Sequence, residues 1–198
     1  MARGLRRLGH LGMIVVVLAA CSAGTPNPTP SPTLVLTPVP VATTFGEFRT
    51  AFCRSWEAIF RAVGNPDTAS DSELNAAMEA AIDRNDLAEV DRLAALIEDE
   101  LTAGRAQVAF GAGFEPGAAM MREMDRLFVG FEAMIEARRD AAHQGAKDWE
   151  NRGQAAFEAA GAIEAWSSMR EPETWGPLAS SRPTGESPQS CETVPVGL

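Results

Sequence analysis

TFGEFRTAFCRSWEAIFRAV, residues 44–63, is the stretch on which the fold turns. At 3.6 residues per turn, Phe45, Phe48, Phe52, Trp56, Ile59, Phe60 and Val63 fall within one narrow arc. Arg49, Arg54, Glu57 and Arg61 lie toward its margins or outside it. Thr44 with Glu47 three residues on is a capping box, in which each side chain satisfies the other residue's backbone N–H. Gly64-Asn65-Pro66 supplies the stop. A helix this apolar on one face must be covered by other elements, and its aromatic density is that of a core face before that of a cofactor pocket.

Downstream, the same period recurs. Ser70-Asp71-Ser72-Glu73 reads as a second capping box, followed by a stripe of Leu74, Ala77, Met78, Ala81 and Ile82. A later stripe, Leu87, Val90, Leu93, Ala94, Ile97 and Leu101, is out of phase with it by about a third of a turn. Asn85 tolerates the left-handed conformation that ends helices, and Asp86 can cap a new one, so a break is expected near 84–86, with a continuous helix as the alternative. Gly104, Gly111, Gly113 and Glu115-Pro116 read as the next punctuation. A third stripe runs Met120, Met121, Met124, Leu127, Phe128, Phe131, Met134 and Ile135; it is expected to end near His143, with Gly145 as a left-handed cap. A last helix is expected from about 147 to 169, with Trp149, Gly153, Ala156, Phe157, Ala160, Ile163 and Trp166 inward. Residues 171–198 carry five prolines and no helical period, and no segment alternates as a strand. The fold class expected is all-α: an up-down bundle of four principal helices over 45–170, with an irregular tail over 171–198.

Upstream of the bundle, residues 21–44 form an uncharged linker after the cysteine at position 21, with prolines at 26, 28, 30, 32, 38 and 40. Such a segment favours polyproline II at about 3.1 Å per residue, and would hold the folded part roughly 60–70 Å from whatever anchors it. Before it, Arg3, Arg6 and Arg7 form a basic start, and Leu11 to Leu18 a short apolar run. That run is shorter than the roughly 20 residues of a comfortable transmembrane helix. It closes on Leu18-Ala19-Ala20-Cys21, which resembles a bacterial lipobox. The resemblance covers residues 1–21 only. It implies a signal peptide over 1–20 and Cys21 as the lipid-bearing N-terminus of the mature chain, anchored by two or three acyl chains (palmitate among them) on the extracytoplasmic side of the cell membrane. Ser22 does not resemble the aspartate signal that holds lipoproteins at the inner membrane of two-membrane bacteria, so an outer membrane is open where the cell has one.

Removing 20 of 198 residues leaves 178, and removing three of 17 basic residues leaves 14 against 27 acidic ones, a net charge of −13. A domain so acidic repels nucleic acid and anionic head groups, so neither is an expected partner. One lysine, Lys147, stands beside 16 arginines, and there is no tyrosine, which reads as genomic codon bias. Cys53 and Cys191 are the other two cysteines, and an oxidising compartment invites a disulfide between them; two free thiols are the alternative.

Chemistry is sparse. A di-metal bundle needs inward glutamates and two Glu-x-x-His motifs, whereas the mature chain has one histidine, His143, in Asp140-x-x-His143 off the apolar arc. Met120, Met121 and Met124 could recruit a soft metal, but they occupy core positions. Asp83-x-Asn85 begins like a calcium loop, then puts Leu87 and Ala88 where ligand and glycine belong. Gly111-Ala112-Gly113 lacks the preceding strand of a dinucleotide loop. Neither Gly-x-Ser-x-Gly nor Ser-x-x-Lys occurs. The expectation is therefore a lipid-anchored, non-catalytic bundle without a cofactor or metal, binding a protein or cell-envelope partner. A small-ligand or lipid-binding bundle with a cleft between helices comes second, and an enzyme third.

Overall fold

The computed structural model describes residues 39–65, 70–181 and Cys191, so the signal, the lipobox with Cys21 and most of the linker lie outside the described residues. The described part is the expected all-α bundle.

Helix α1 spans Phe45–Ala62 and α2 Glu73–Asp83. Helix α3 spans Leu87–Gly111, α4 Ala118–His143, α5 Trp149–Ala159, α6 Ala162–Ser168 and α7 Pro172–Ser181. A single 3-10 turn, Glu115–Gly117, leads into α4. Between α1 and α2, strands β1 (Gly64–Asn65) and β2 (Ser70–Asp71) pair antiparallel. A ladder of two residues is too short to show the alternation that identifies strands in a sequence.

The caps do much of what local chemistry predicts. Glu47 N–H donates to the Thr44 hydroxyl and Thr44 N–H to the Glu47 carboxylate, at 3.2 and 3.1 Å. At the 84–86 break Asn85 adopts φ +55°, and two reversed bonds close α2: Asp86 N–H to the Ala81 carbonyl and Asn85 N–H to that of Ile82. Asp86 then accepts from Glu89 N–H to start α3. The end of α4 repeats this motif around Gly145, with Ala146 N–H bonded to Ala141 and Gly145 N–H to Ala142.

Three corrections concern boundaries. Ser72, not Ser70, caps α2: its hydroxyl accepts from Asn75 N–H and donates to the Ala62 carbonyl, while Ser70 is spent in the β ladder. Gly104 does not punctuate, because α3 runs through it; a Cβ there would meet the Phe128 ring and Ala58, so the missing side chain serves packing. The last helix is not continuous, because Gly161 at φ +73° ends α5 and sets a new phase for α6. Ala162 and Ala165 are thereby buried, and Ile163, expected inside, stays 44% exposed.

Two more concern the flanks. The linker docks before residue 45: Ala42 is 0% exposed, its N–H donates to the Phe110 carbonyl at 2.8 Å, and Val41 fills the space beside Gly113. The tail is not wholly irregular, since α7 occupies 172–181 with Leu178 fully buried. Proline at its first position costs no hydrogen bond, and the Ser180 and Ser181 hydroxyls both donate to the Pro177 carbonyl.

Helix α1 packs on α3, α3 on α4, and α4 on α5 and α6, with α2 also against α3. Successive legs run antiparallel: Ser55 bonds Gly104 and Arg61 meets Glu100, Glu98 meets Arg139, and Gly130 and Arg138 abut Ala162 and Gly153. Glycine repeatedly faces an aromatic ring or a long side chain. Gly117 faces Phe48, Gly111 faces Met121, and Gly130 faces Phe157 as well as Ala162. This large-to-small matching fills the shared interior.

Candidate functional site

Cys53 and Cys191 are joined in a disulfide, with Cα atoms 5.4 Å apart. Cys53 is buried on α1, and Cys191 is half-buried against the core. Cys21 lies outside the described residues.

Met120, Met121 and Met124 are fully buried among core side chains, where thioethers pack. His143 sits at the surface, 2.9 Å from an Asp91 carboxylate oxygen on α3. Among the described residues no group of three or more His, Cys, Asp or Glu is placed to hold a metal, and no helix is long and apolar enough to cross a membrane.

The buried polar cluster is one that periodicity overlooked. Arg138 is only 9% exposed. It reaches from α4 to α2, where one terminal nitrogen donates to Asn75 Oδ1 at 3.1 Å and Glu79 Oε1 at 3.0 Å. Asn75, also buried, donates to Asp71 and Glu79 in turn. On the α5 side Arg138 lies over the Trp149 ring at 5.5 Å, and its stem occupies the space a Cβ on Gly153 would need. Its Nε is buried without a hydrogen-bond partner, held against that glycine. The signal is nonetheless in the sequence: Arg138 follows Met134 by four residues and Ile135 by three, which places it on the inner arc. Its nearness to the C-terminus of α4, where a cation is favourable in any case, masks that position.

This cluster makes a pH prediction. Burial pushes the Glu79 carboxyl above its ordinary value of 4.5; Asp71 and Glu150 push the same way, against the pull of Arg138 and the Asn75 hydrogen bond. A raised folded-state value means the native protein holds this proton more tightly than the unfolded chain does. The associated stability is complete below about 4.5 and is lost as pH rises through the raised value. Glu79→Gln keeps an acceptor for Arg138 but cannot ionise. Urea unfolding across this range should show the stability of the variant rising relative to wild type as pH increases, then levelling. A pH-independent difference, or a fall, would contradict the assignment.

Helices α1 and α6 meet through aromatic side chains. Trp56 meets Trp166 of α6 edge-on at 5.2 Å and Phe60 at 5.8 Å, while Arg170 lies over Trp166 at 4.5 Å. Phe60, expected inside, is 42% exposed. Ile163 on α6 is exposed to a similar degree, at 44%. Trp56, Phe60 and Trp166 form an aromatic seam, with Phe60 at its solvent-facing edge. No known protein family, curated protein or solved structure matches this chain.

Proposed function

We propose that this is an extracytoplasmic lipoprotein, tethered through Cys21 and a proline-rich stalk, whose helical bundle binds a protein or cell-envelope partner through its outer, acidic faces. The observation that carries the reading is how the interior is occupied. The Phe and Met side chains that would line a ligand cleft pack on glycine and alanine of the facing helices, and the buried Arg138 and Asn75 side chains bond each other and Glu79. What remains for recognition is a surface on which acidic residues outnumber basic ones. Arginines on that surface are drawn into ion pairs, as Arg105 is with Asp125 and Glu132. A partner suited to such faces presents basic groups. The reading is of a binding module, without catalysis or a resident cofactor.

Attachment is tested by labelling cells with a fatty-acid probe. Wild type should incorporate it, and Cys21→Ser should lose the label and leave the precursor uncut or release the domain. Equal labelling of the two would end the lipoprotein reading. Crosslinking the native protein in place then tests the second half, with a partner contacting acidic residues as the expected outcome.

A further inference from the structure

The two sulfurs of the Cys53–Cys191 bond sit in different surroundings. Cys53 lies midway along α1, only 3% exposed, within the buried core. Cys191 packs against that core and keeps part of its surface open to solvent. A disulfide is opened by a thiolate that attacks one sulfur and displaces the other. Displacement runs in line with the S–S bond, so the nucleophile must reach the attacked sulfur from the side opposite its partner. For Cys53 that approach lies through the side chains that bury it. Cys191 has the open surface that such an approach needs. Leaving-group chemistry pulls the other way. A thiolate released from Cys53 forms in apolar surroundings, which raise a thiol's pKa and slow its departure. That slows exchange at Cys191 without opening a route to Cys53, because access decides whether a sulfur is attacked at all.

We propose that the bond is a one-sided thiol-capture site, where a low-molecular-weight thiol in its thiolate form attacks Sγ of Cys191 and Cys53 is left as a shielded free thiol. In this step the S–S bond between Cys53 and Cys191 breaks, and a new one forms between Cys191 and the incoming sulfur. The incoming thiol is oxidised to the level of a disulfide and Cys53 is reduced. The Cys53 thiolate takes a proton from water, and no further oxidant or reductant enters. A neutral thiol behaves as a small apolar side chain, so the core holds it without an unpaired charge. The bundle stays closed, because α1 is held on α3 by its own packing. Gly104 lies against Ala58 and the Phe128 ring, and the Ser55 hydroxyl donates to the Gly104 carbonyl. Capture therefore exchanges an internal cross-link for an adduct on Cys191 and leaves the helices in place. Neither the lipid anchor nor the partner proposed above is needed for this step.

The test incubates the full-length oxidised protein, without denaturant, in a buffer of reduced and oxidised glutathione. Acid stops the exchange, N-ethylmaleimide caps free thiols after unfolding, and peptide mass spectrometry assigns what each cysteine carries. Cys21 falls on a different tryptic peptide from either, so its state does not enter. The expected result is glutathione on Cys191 and maleimide on Cys53, exceeding the reverse arrangement roughly tenfold, with helical circular dichroism retained. In protein unfolded by guanidinium the two arrangements should approach equality. Equal adducts on the two cysteines of the folded protein would overturn the proposal, as would an excess on Cys53. Folded protein that forms no adduct, or that loses its helical signal as the adduct appears, would also overturn it and leave the bond a purely structural one.

Discussion

Replacing both Cys53 and Cys191 by alanine is expected to cost about 2–5 kcal/mol of stability. The bond joins positions 138 residues apart, and the chain-entropy treatment gives about 5 kcal/mol for a loop that long. It ties Cys191 to the middle of α1, and among the described residues after 171 Leu178 of α7 is also buried against the core. Helices α1–α6 close their own core and should remain folded. Urea unfolding of the double variant should show a lower midpoint with helical circular dichroism retained. An unchanged midpoint would mean that the staple contributes nothing.

The second large effect is at Gly104. By helix propensity alone, Gly104→Leu would stabilise α3 by roughly 0.8 kcal/mol. Packing predicts the opposite sign. The added side chain would run into the fully buried Phe128 ring and into Ala58, forcing apart three helices, and the Ser55 hydroxyl would lose its approach to the Gly104 carbonyl at 3.3 Å. The expected result is a loss of about 1–3 kcal/mol. Phe128→Ala alone should cost about 3–5 kcal/mol. The double variant should be more stable than the sum of the two losses implies, because leucine refills part of the space that the ring vacates. Additivity would show that the two positions do not share that space.

What could be seen in the sequence was what depends on a few neighbouring residues. Thr44 with Glu47, Asn85 with Asp86, and Gly145 each announce a helix end, because capping is a matter of three to six residues. The inward stripes of α1, α3 and α4 were legible because a 3.6 period sustained along a long segment fits an amphipathic helix and little else. Ambiguity arose wherever one residue type serves two ends. Glycine breaks α5 from α6 at Gly161 yet passes through α3 at Gly104, and only the Phe128 ring opposite distinguishes them. Serine could cap from 70 or 72, and the β pairing with 64–65 decides it. Proline at 172 and 177 argued against a helix, which Leu178, buried beneath it, nonetheless secures. The inner position of Arg138 was masked because a cation near a helix C-terminus is favourable wherever it points, and its partners lie 59 and 63 residues away. The disulfide was visible only as a redox argument; the geometry that makes Cys53 reachable belongs to the tertiary fold.

The most direct test of a lipid-anchored, self-filled bundle is the intact mass of the protein extracted from membranes of its own cells under native conditions. The expected mass is that of a chain beginning at Cys21, heavier by two or three acyl chains, lighter by two hydrogens for the Cys53–Cys191 bond, and carrying no other stoichiometric mass. A chain beginning elsewhere without acyl mass would contradict the anchor. A bound lipid, haem or metal that also raises the melting temperature when added back would contradict the self-filled bundle.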